Sequence, residues 1–209
     1  MCGADAFEHP NQAGTIGGQK AALRRQVAAV LNQMTPAVRA AASAQACDRL
    51  RNQPLWRSAR SVLFFATLPK EPDLWPLLLE ALRLGKTVGL PRYSSERDGY
   101  EARLVQDPAN EVAVGKFGIR EPLERCPPLP IKLDLLLVPG VAFDLHGRRL
   151  GRGRGFYDQL LSAMSGTTCG VAFDEQIVPA VPVEPHDAAL NCILTPTRWI
   201  ELKPRAVRE

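Results

Sequence analysis

Leu133-Asp134-Leu135-Leu136-Leu137-Val138-Pro139-Gly140, followed by Val141 to Leu150 and then Gly151-Arg152-Gly153-Arg154-Gly155-Phe156-Tyr157-Asp158-Gln159-Leu160-Leu161, decides the fold. The apolar run ending at Pro139-Gly140 reads as a strand buried on both faces, the kind found inside a parallel sheet. Phe156, Leu160, Leu161 and Met164 recur at helical spacing, so a helix is expected from Phe156 to Met164. Between them, glycine stands at every second position with arginine in the gaps. Strand, glycine loop and helix follow in that order.

Glycine opens conformations closed to other residues and lets a ligand approach backbone amides. A helix N-terminus adds unpaired donors and the positive end of its dipole. The loop is therefore a candidate phosphate cradle, with Arg152 and Arg154 supplying charge. It lacks the G-x-x-x-x-G-K-[ST] signature and follows G-x-G-x-x-G only in part. A glycine-rich turn with two solvated arginines is the competing reading.

Outward from this stretch, the chain alternates helices and strands. A first helix is expected from about Gln19 to Met34, where Leu23, Val27, Val30, Leu31 and Met34 form a stripe. At about 100° per residue, Lys20 and Arg24 lie along its margin and Arg25 points nearly the opposite way. Thr35-Pro36 caps a second helix reaching about Asn52. Ser61 to Ala66 reads as a central strand, a helix is expected from about Pro72 to Leu84, and Thr87 to Leu90 reads as a short strand. Ser94 to Pro130 is polar and turn-rich, with short strands expected near Arg103 and Phe117. Cys169 to Phe173 and Cys192 to Leu194 are the last expected strands. This alternation predicts a three-layer α/β/α domain with a mostly parallel central sheet. Ligands of such sheets gather at the carboxyl ends of the strands.

The 209 residues, 45% hydrophobic and 23% charged, suit one compact domain. Residues 1–18 read as a loose tail and 19–209 as the domain. The net charge of +4 comes from 26 basic and 22 acidic residues mixed along the chain, which suits an anionic small ligand better than nucleic acid. The five cysteines are widely spread without a C-x-x-C pair, as expected of reduced thiols in a cytoplasmic protein. No run is long enough to span a bilayer. Neither a membrane nor a nucleic-acid partner is expected, and the chain is expected to be a monomer.

Pro139-Gly140-Val141-Ala142-Phe143-Asp144, Gly147 and Arg149-Leu150-Gly151-Arg152-Gly153-Arg154-Gly155-Phe156-Tyr157-Asp158 together resemble the signature of the 5-formyltetrahydrofolate cyclo-ligase (5,10-methenyltetrahydrofolate synthetase) family. The resemblance runs from Lys20 to about Thr195. It implies a fold similar to that of sugar-phosphate isomerases and CoA-transferases, and ATP-dependent closure of 5-formyltetrahydrofolate to 5,10-methenyltetrahydrofolate. It implies that Lys20, Arg24, Arg149, Leu150, Gly151, Arg152, Gly153, Arg154, Gly155, Phe156 and Tyr157 hold ATP. Arg24, Glu71, Arg92, Tyr93 and Tyr157 would contact the folate, and Arg152 and Arg154 would act in catalysis. Asp158 and Asp187 match acidic positions tied to magnesium. A nucleotide's magnesium takes only one or two carboxylates besides phosphate oxygens.

Simpler readings stand beside these. Glu71 and Asp158 suit the first turn of a helix, Asp187 suits a turn, and Lys20 and Arg24 suit a solvated helix margin. Gly118-Ile119-Arg120-Glu121-Pro122 resembles a family loop near the substrate but suggests no chemical role. Asn191 departs from the resemblance, because the family commonly carries an acidic residue there. A non-catalytic nucleotide or folate sensor, and a basic nucleic-acid binder using Arg148, Arg149, Arg152 and Arg154, are the alternatives from other classes.

Overall fold

The computed structural model describes residues 14–115, 118–182 and 189–202. Helix α1, Ile16–Gln33, is capped by Thr15, whose hydroxyl accepts from the Gly18 amide at 3.1 Å. The helix starts three residues before the expected Gln19, so part of the expected tail is helical. Helix α2, Pro36–Arg51, opens with Thr35 as cap and proline at its first position. Arg39 turns back from α2 and donates to the Met34 carbonyl at 2.6 Å and the Leu31 carbonyl at 3.3 Å, closing the end of α1. A short helix α3, Pro54–Ser58, leads into strand β1, Ser61–Leu63.

Helix α4, Trp75–Arg83, begins later than the expected Pro72. Pro76 fits only the first turn, and the Asp73 carboxylate accepts from the Trp75 amide at 2.9 Å. Strand β2, Thr87–Ser94, runs four residues beyond the expected Leu90 and pairs antiparallel with β3, Gly99–Val105. Its pairing with β1 ends at Gly89, so Pro91 faces β3 alone and its missing N–H breaks no central ladder. A one-turn helix α5, Pro108–Glu111, is followed by the small ribbon β4, Val112–Val114, and β5, Arg120–Pro122. Phe117, near which a strand was expected, lies outside the described residues.

Strand β6, Lys132–Pro139, is the expected central strand. Between it and the glycine loop stands a hairpin the apolar pattern does not reveal, β7, Ala142–Phe143, and β8, Arg149–Leu150. The wholly buried Asp144 organises it, accepting from the amides of His146, Arg148 and Val181 and from Arg148 Nε at 2.6 Å. Helix α6, Phe156–Ser162, follows the loop and ends two residues before the expected Met164. Strand β9, Ser165–Val171, starts earlier than the expected Cys169, because ladder bonds to β6 do not need apolar side chains at its half-exposed start. Strand β10, Cys192–Leu194, lies where expected, and β11, Trp199–Glu201, adds an antiparallel edge.

The main sheet has the order β11-β10-β9-β6-β1-β2-β3. The five inner strands are parallel, and only the two edges are antiparallel. Side chains of β6 alternate between two cores. Leu135 and Leu137 join Leu50, Trp56, Phe64 and the α4 leucines on one face, while Leu136 and Val138 join Leu63, Phe143, Leu160 and Ile193 on the other. Helices on both faces of a mostly parallel sheet give the expected three layers. A third cluster ties Val27 and Leu31 of α1 to Ala142, Leu150 and Phe173, fixing α1 beside the hairpin that carries the glycine loop. No helix among the described residues is long and apolar enough to cross a membrane.

Candidate active site

The loops after β1 and β6, the glycine loop and the first turn of α6 surround a cavity of about 250 Å³. It lies at the carboxyl ends of parallel strands, where diverging loops leave room for a ligand. Glu71 and Leu68 enter from the β1 side, Pro139 and Gly140 from the end of β6, and Tyr100 from β3. Gly140 is confined there, since a Cβ would come within 2.6 Å of the Phe143 ring.

Two buried or nearly buried charges are paired, Glu71 with an arginine 81 residues away and Arg149 with an acid nine residues on. Arg152 donates to Glu71 Oε1 at 2.8 Å, and the Leu68 amide donates to Glu71 Oε2 at 3.0 Å. The Glu71 side chain is 5% exposed and that of Arg152 is 56% exposed, so the acid is fixed inside and the arginine reaches out to solvent. Arg149, 7% exposed, pairs with the Asp158 carboxylate, which is half exposed at the cavity wall. Arg154 lies over the Phe156 ring, 5.9 Å from its centroid.

The loop takes its shape from two glycines with positive φ. Gly153 sits at φ +101°, and Gly155, the cap of α6, at φ +69°. Arg24 fixes the loop from outside, its Nε donating to the Gly151 carbonyl at 2.9 Å across 127 residues of sequence. Its guanidinium also lies 3.5 Å from where a Gly153 Cβ would stand. Lys20 lies one turn earlier on α1, and Arg25 is exposed.

Aromatic rings form a further part of the wall. Tyr100 meets Phe156 at 5.3 Å and Tyr157 at 5.6 Å between centroids, and Tyr93 meets Phe156 at 5.7 Å. Burial, and then the Glu71 charge, holds the Tyr157 phenol well above its ordinary pKa, so it stays a neutral donor.

Of the residues singled out from sequence, Glu71, Arg149, Gly151, Arg152, Arg154, Gly155, Phe156, Tyr157 and Asp158 line this one cavity. Others stand elsewhere. Leu150 points into the core with Val27 and Leu31. Arg92 is not at a strand end: it sits within β2 opposite Glu101, donating to the Pro122 carbonyl at 2.9 Å. Tyr93 packs behind Phe156 and donates its hydroxyl to Asp98 at 2.7 Å. Asp187 lies outside the described residues. Asn191 bridges strands: its Oδ1 accepts from the Thr168 amide at 2.8 Å and hydroxyl at 2.9 Å, tying the start of β10 to β9. Sequence reasoning missed Tyr100, because nothing in its own segment marks a site, while Ile119 belongs to the segment that resembles a family loop near the substrate and does line the cavity.

Among the described residues no three His, Cys, Asp or Glu side chains cluster to hold a metal ion by themselves. The half-exposed Asp158 carboxylate at the cavity wall fits the lesser demand of a nucleotide-bound magnesium ion.

Fold and cavity together define an α/β protein with an arginine-bearing glycine loop over a pocket at its strand ends. Residues 16–196 match the model of the 5-formyltetrahydrofolate cyclo-ligase family, and the chain belongs to that family. It is 35% identical over 170 residues to the 5-formyltetrahydrofolate cyclo-ligase of Escherichia coli K12, covering 79% of this chain and 93% of that one. The Mycolicibacterium smegmatis protein of the same name is 38% identical over 154 residues, covering 68% and 77%. The NMR structure of Aquifex aeolicus 5,10-methenyltetrahydrofolate synthetase superposes with a TM-score of 0.79 at 30% identity, covering 91% of this chain and 96% of that one. A Mycoplasma pneumoniae 5,10-methenyltetrahydrofolate synthetase, 17% identical with a TM-score of 0.62 over 85% and 98% of the two chains, shares the fold.

Proposed function

We propose that this protein closes 5-formyltetrahydrofolate to 5,10-methenyltetrahydrofolate with ATP, releasing ADP and phosphate. Family membership supports the overall reaction. The observation that carries the site assignment is the convergence of Arg149, Arg152, Arg154 and the glycine loop on one cavity that also holds Glu71 and an aromatic wall.

The formyl oxygen attacks the terminal phosphorus of ATP, and ADP leaves. The second folate nitrogen then attacks the activated formyl carbon and loses its proton. Phosphate departs carrying the former formyl oxygen. Phosphoryl transfer demands positioning and charge neutralisation more than covalent help from the protein. Loop amides and the α6 N-terminus receive phosphate oxygens, Lys20 and Arg24 hold the nucleotide and the loop, and Arg152 and Arg154 offset the migrating charge. Glu71, Tyr157 and the tyrosine-phenylalanine wall hold the folate, with Tyr93 supporting that wall from behind and Arg92 anchoring the Pro122 segment beside the site. Asp158, with Asp187, would hold magnesium, which when bound neutralises phosphate charge.

A cytoplasmic monomer is part of the same reading, and the buried free thiols of Cys47, Cys126, Cys169 and Cys192 support a reducing compartment. The test follows oxygen. Substrate carrying heavy oxygen in its formyl group is expected to give labelled phosphate, with one ADP per methenyl product. Label released to water with ATP still consumed would refute phosphorylation of the formyl oxygen. ATP and folate bound without turnover would leave the sensor reading in its place.

A further inference from the structure

Ribbon β4–β5 carries a carboxylate for which the site as described has no use. Glu121 pairs with Ala113 in the ribbon, and its side chain is buried. Its Oε2 accepts from the Tyr93 amide at 3.4 Å, whereas Oε1 is shut off from solvent with no hydrogen-bond partner. Such an oxygen is rare, because losing water without a replacement costs about 1–3 kcal/mol.

Its surroundings direct it toward the cavity. Ile119 and Glu121 are buried and Arg120 between them is exposed, so the two buried residues share a side. Ile119 lines the cavity, while Arg120 turns away to stack on Trp75, 4.3 Å from the ring centroid. Tyr100, a further lining residue, feels the same carboxylate: its phenol is raised first by burial, then by Glu121 and Glu71. The backbone at Gly115 covers the carboxyl elsewhere, since a Cβ there would collide with the Glu121 side chain.

The cavity is rich in donors, and the two acids lining it already carry ion pairs, Glu71 with Arg152 and Asp158 with Arg149, so neither offers an oxygen as unencumbered as Glu121 Oε1. The reduced bicyclic ring of a folate carries several N–H groups along its aminopyrimidine edge, and these need acceptors. We propose that Glu121 is a folate-recognition residue whose unpartnered Oε1 accepts a hydrogen bond from a ring N–H of the substrate. This rests on the folate reading under Proposed function. Burial raises the carboxyl pKa, with the Tyr93 amide and Arg92 pulling the other way, and an arriving N–H donor favours the ionised form.

The test is calorimetric titration of the wild type, Glu121→Gln and Glu121→Met with 5-formyltetrahydrofolate and, separately, with ATP. In Glu121→Gln the carbonyl stays on the Tyr93 amide, so the NH₂ group replaces Oε1 and sets donor against donor. Folate affinity is expected to fall about 10–100-fold in both variants, the range for a lost hydrogen bond to a charged group. ATP affinity should stay within about twofold, and the melting temperature should not fall below wild type, since a costly buried carboxyl is removed. Glu121→Met keeps the volume with no polar atom, so it tests the assignment should the glutamine variant fold poorly. Unchanged folate affinity in a folded variant overturns the assignment. Loss of both ligands together with lower stability overturns it too, in favour of a structural role. A wild type that binds no 5-formyltetrahydrofolate overturns the folate reading itself and this assignment with it.

Discussion

Gly153 and Gly155 both hold positive φ, but in different regions, and the difference gives a sharp expectation for substitutions. Gly155 sits at φ +69° and ψ 1°, close to the left-handed helical basin, with no atom within 4 Å of where a Cβ would stand. Alanine there meets no steric contact, so its cost is backbone strain of about 1–2 kcal/mol, less about 0.4–1 kcal/mol for stiffening the unfolded chain. The net loss is about 1 kcal/mol, or about 2–4 °C in melting temperature for a chain of this size. Asparagine tolerates the left-handed basin, so Gly155→Asn should lose clearly less. Gly153, at φ +101°, lies outside that basin, and its Cβ would only touch Arg24 at 3.5 Å. Asparagine should therefore not rescue it, and alanine, asparagine or valine should each cost about 1–3 kcal/mol. Thermal unfolding by circular dichroism, with ATP binding by calorimetry, reads both effects. Gly153→Val should lose ATP binding while remaining folded. Equal losses for Gly155→Ala and Gly155→Asn, or wild-type nucleotide affinity in folded Gly153→Val, would refute the reasoning.

Arg24→Ala should weaken ATP binding and slow turnover by about tenfold, the loss expected for a half-buried charged hydrogen bond, while exposed Arg25→Ala changes neither in steady-state kinetics. Lys20→Ala should weaken ATP binding, and equal effects of all three would point to general charge. Asn191→Ala should cost about 1 kcal/mol in urea unfolding through the lost Thr168 bonds, with turnover per folded enzyme unchanged. Burial pushes the Cys47 thiol up to about 12, above its unfolded value of 9.0. Its contribution is therefore complete below pH 9 and lost as pH rises toward about 12, and Cys47→Ala should shallow that alkaline decline by up to about 1.4 kcal/mol per pH unit. Unfolding free energies measured from pH 8 to 11 would show it.

The sheet was legible wherever hydrophobic runs carried it. Leu135 to Val138 and Val62 to Phe64 must be buried on both faces, and only a parallel sheet between helices does that. Elements held by backbone bonds or by single polar hubs left no such trace. The β7–β8 hairpin depends on Asp144 gathering amides from three later residues, and β9 begins with Ser165, Gly166 and two threonines. A hydrophobic pattern cannot report either. The extension of β2 through Pro91 was hidden for a related reason: proline argues against a central strand, and only the neighbour order shows that β2 has one partner there.

The site was legible in its loop and obscure in what meets the loop. Glycines at alternate positions before a helix announce a backbone that must bend and approach a ligand, which is a local property of the sequence. That Arg152 would select Glu71, 81 residues away, and that Arg24 would hold the Gly151 carbonyl, depends on how α1 and the β1 loop pack, which no spacing encodes. Arg92 shows the converse. Its place after a short apolar run suggested a strand end open to ligand, but pairing with β3 continues past it and its guanidinium is taken up by the Pro122 carbonyl. Glu121 was legible only as part of a segment resembling a family loop near the substrate, with no role of its own, because an acid in a turn-rich polar segment is ordinary until the fold buries it. Only the three-dimensional arrangement, with Oε1 buried and unpartnered and its charge felt by Tyr100, sets this acid apart from a solvated one.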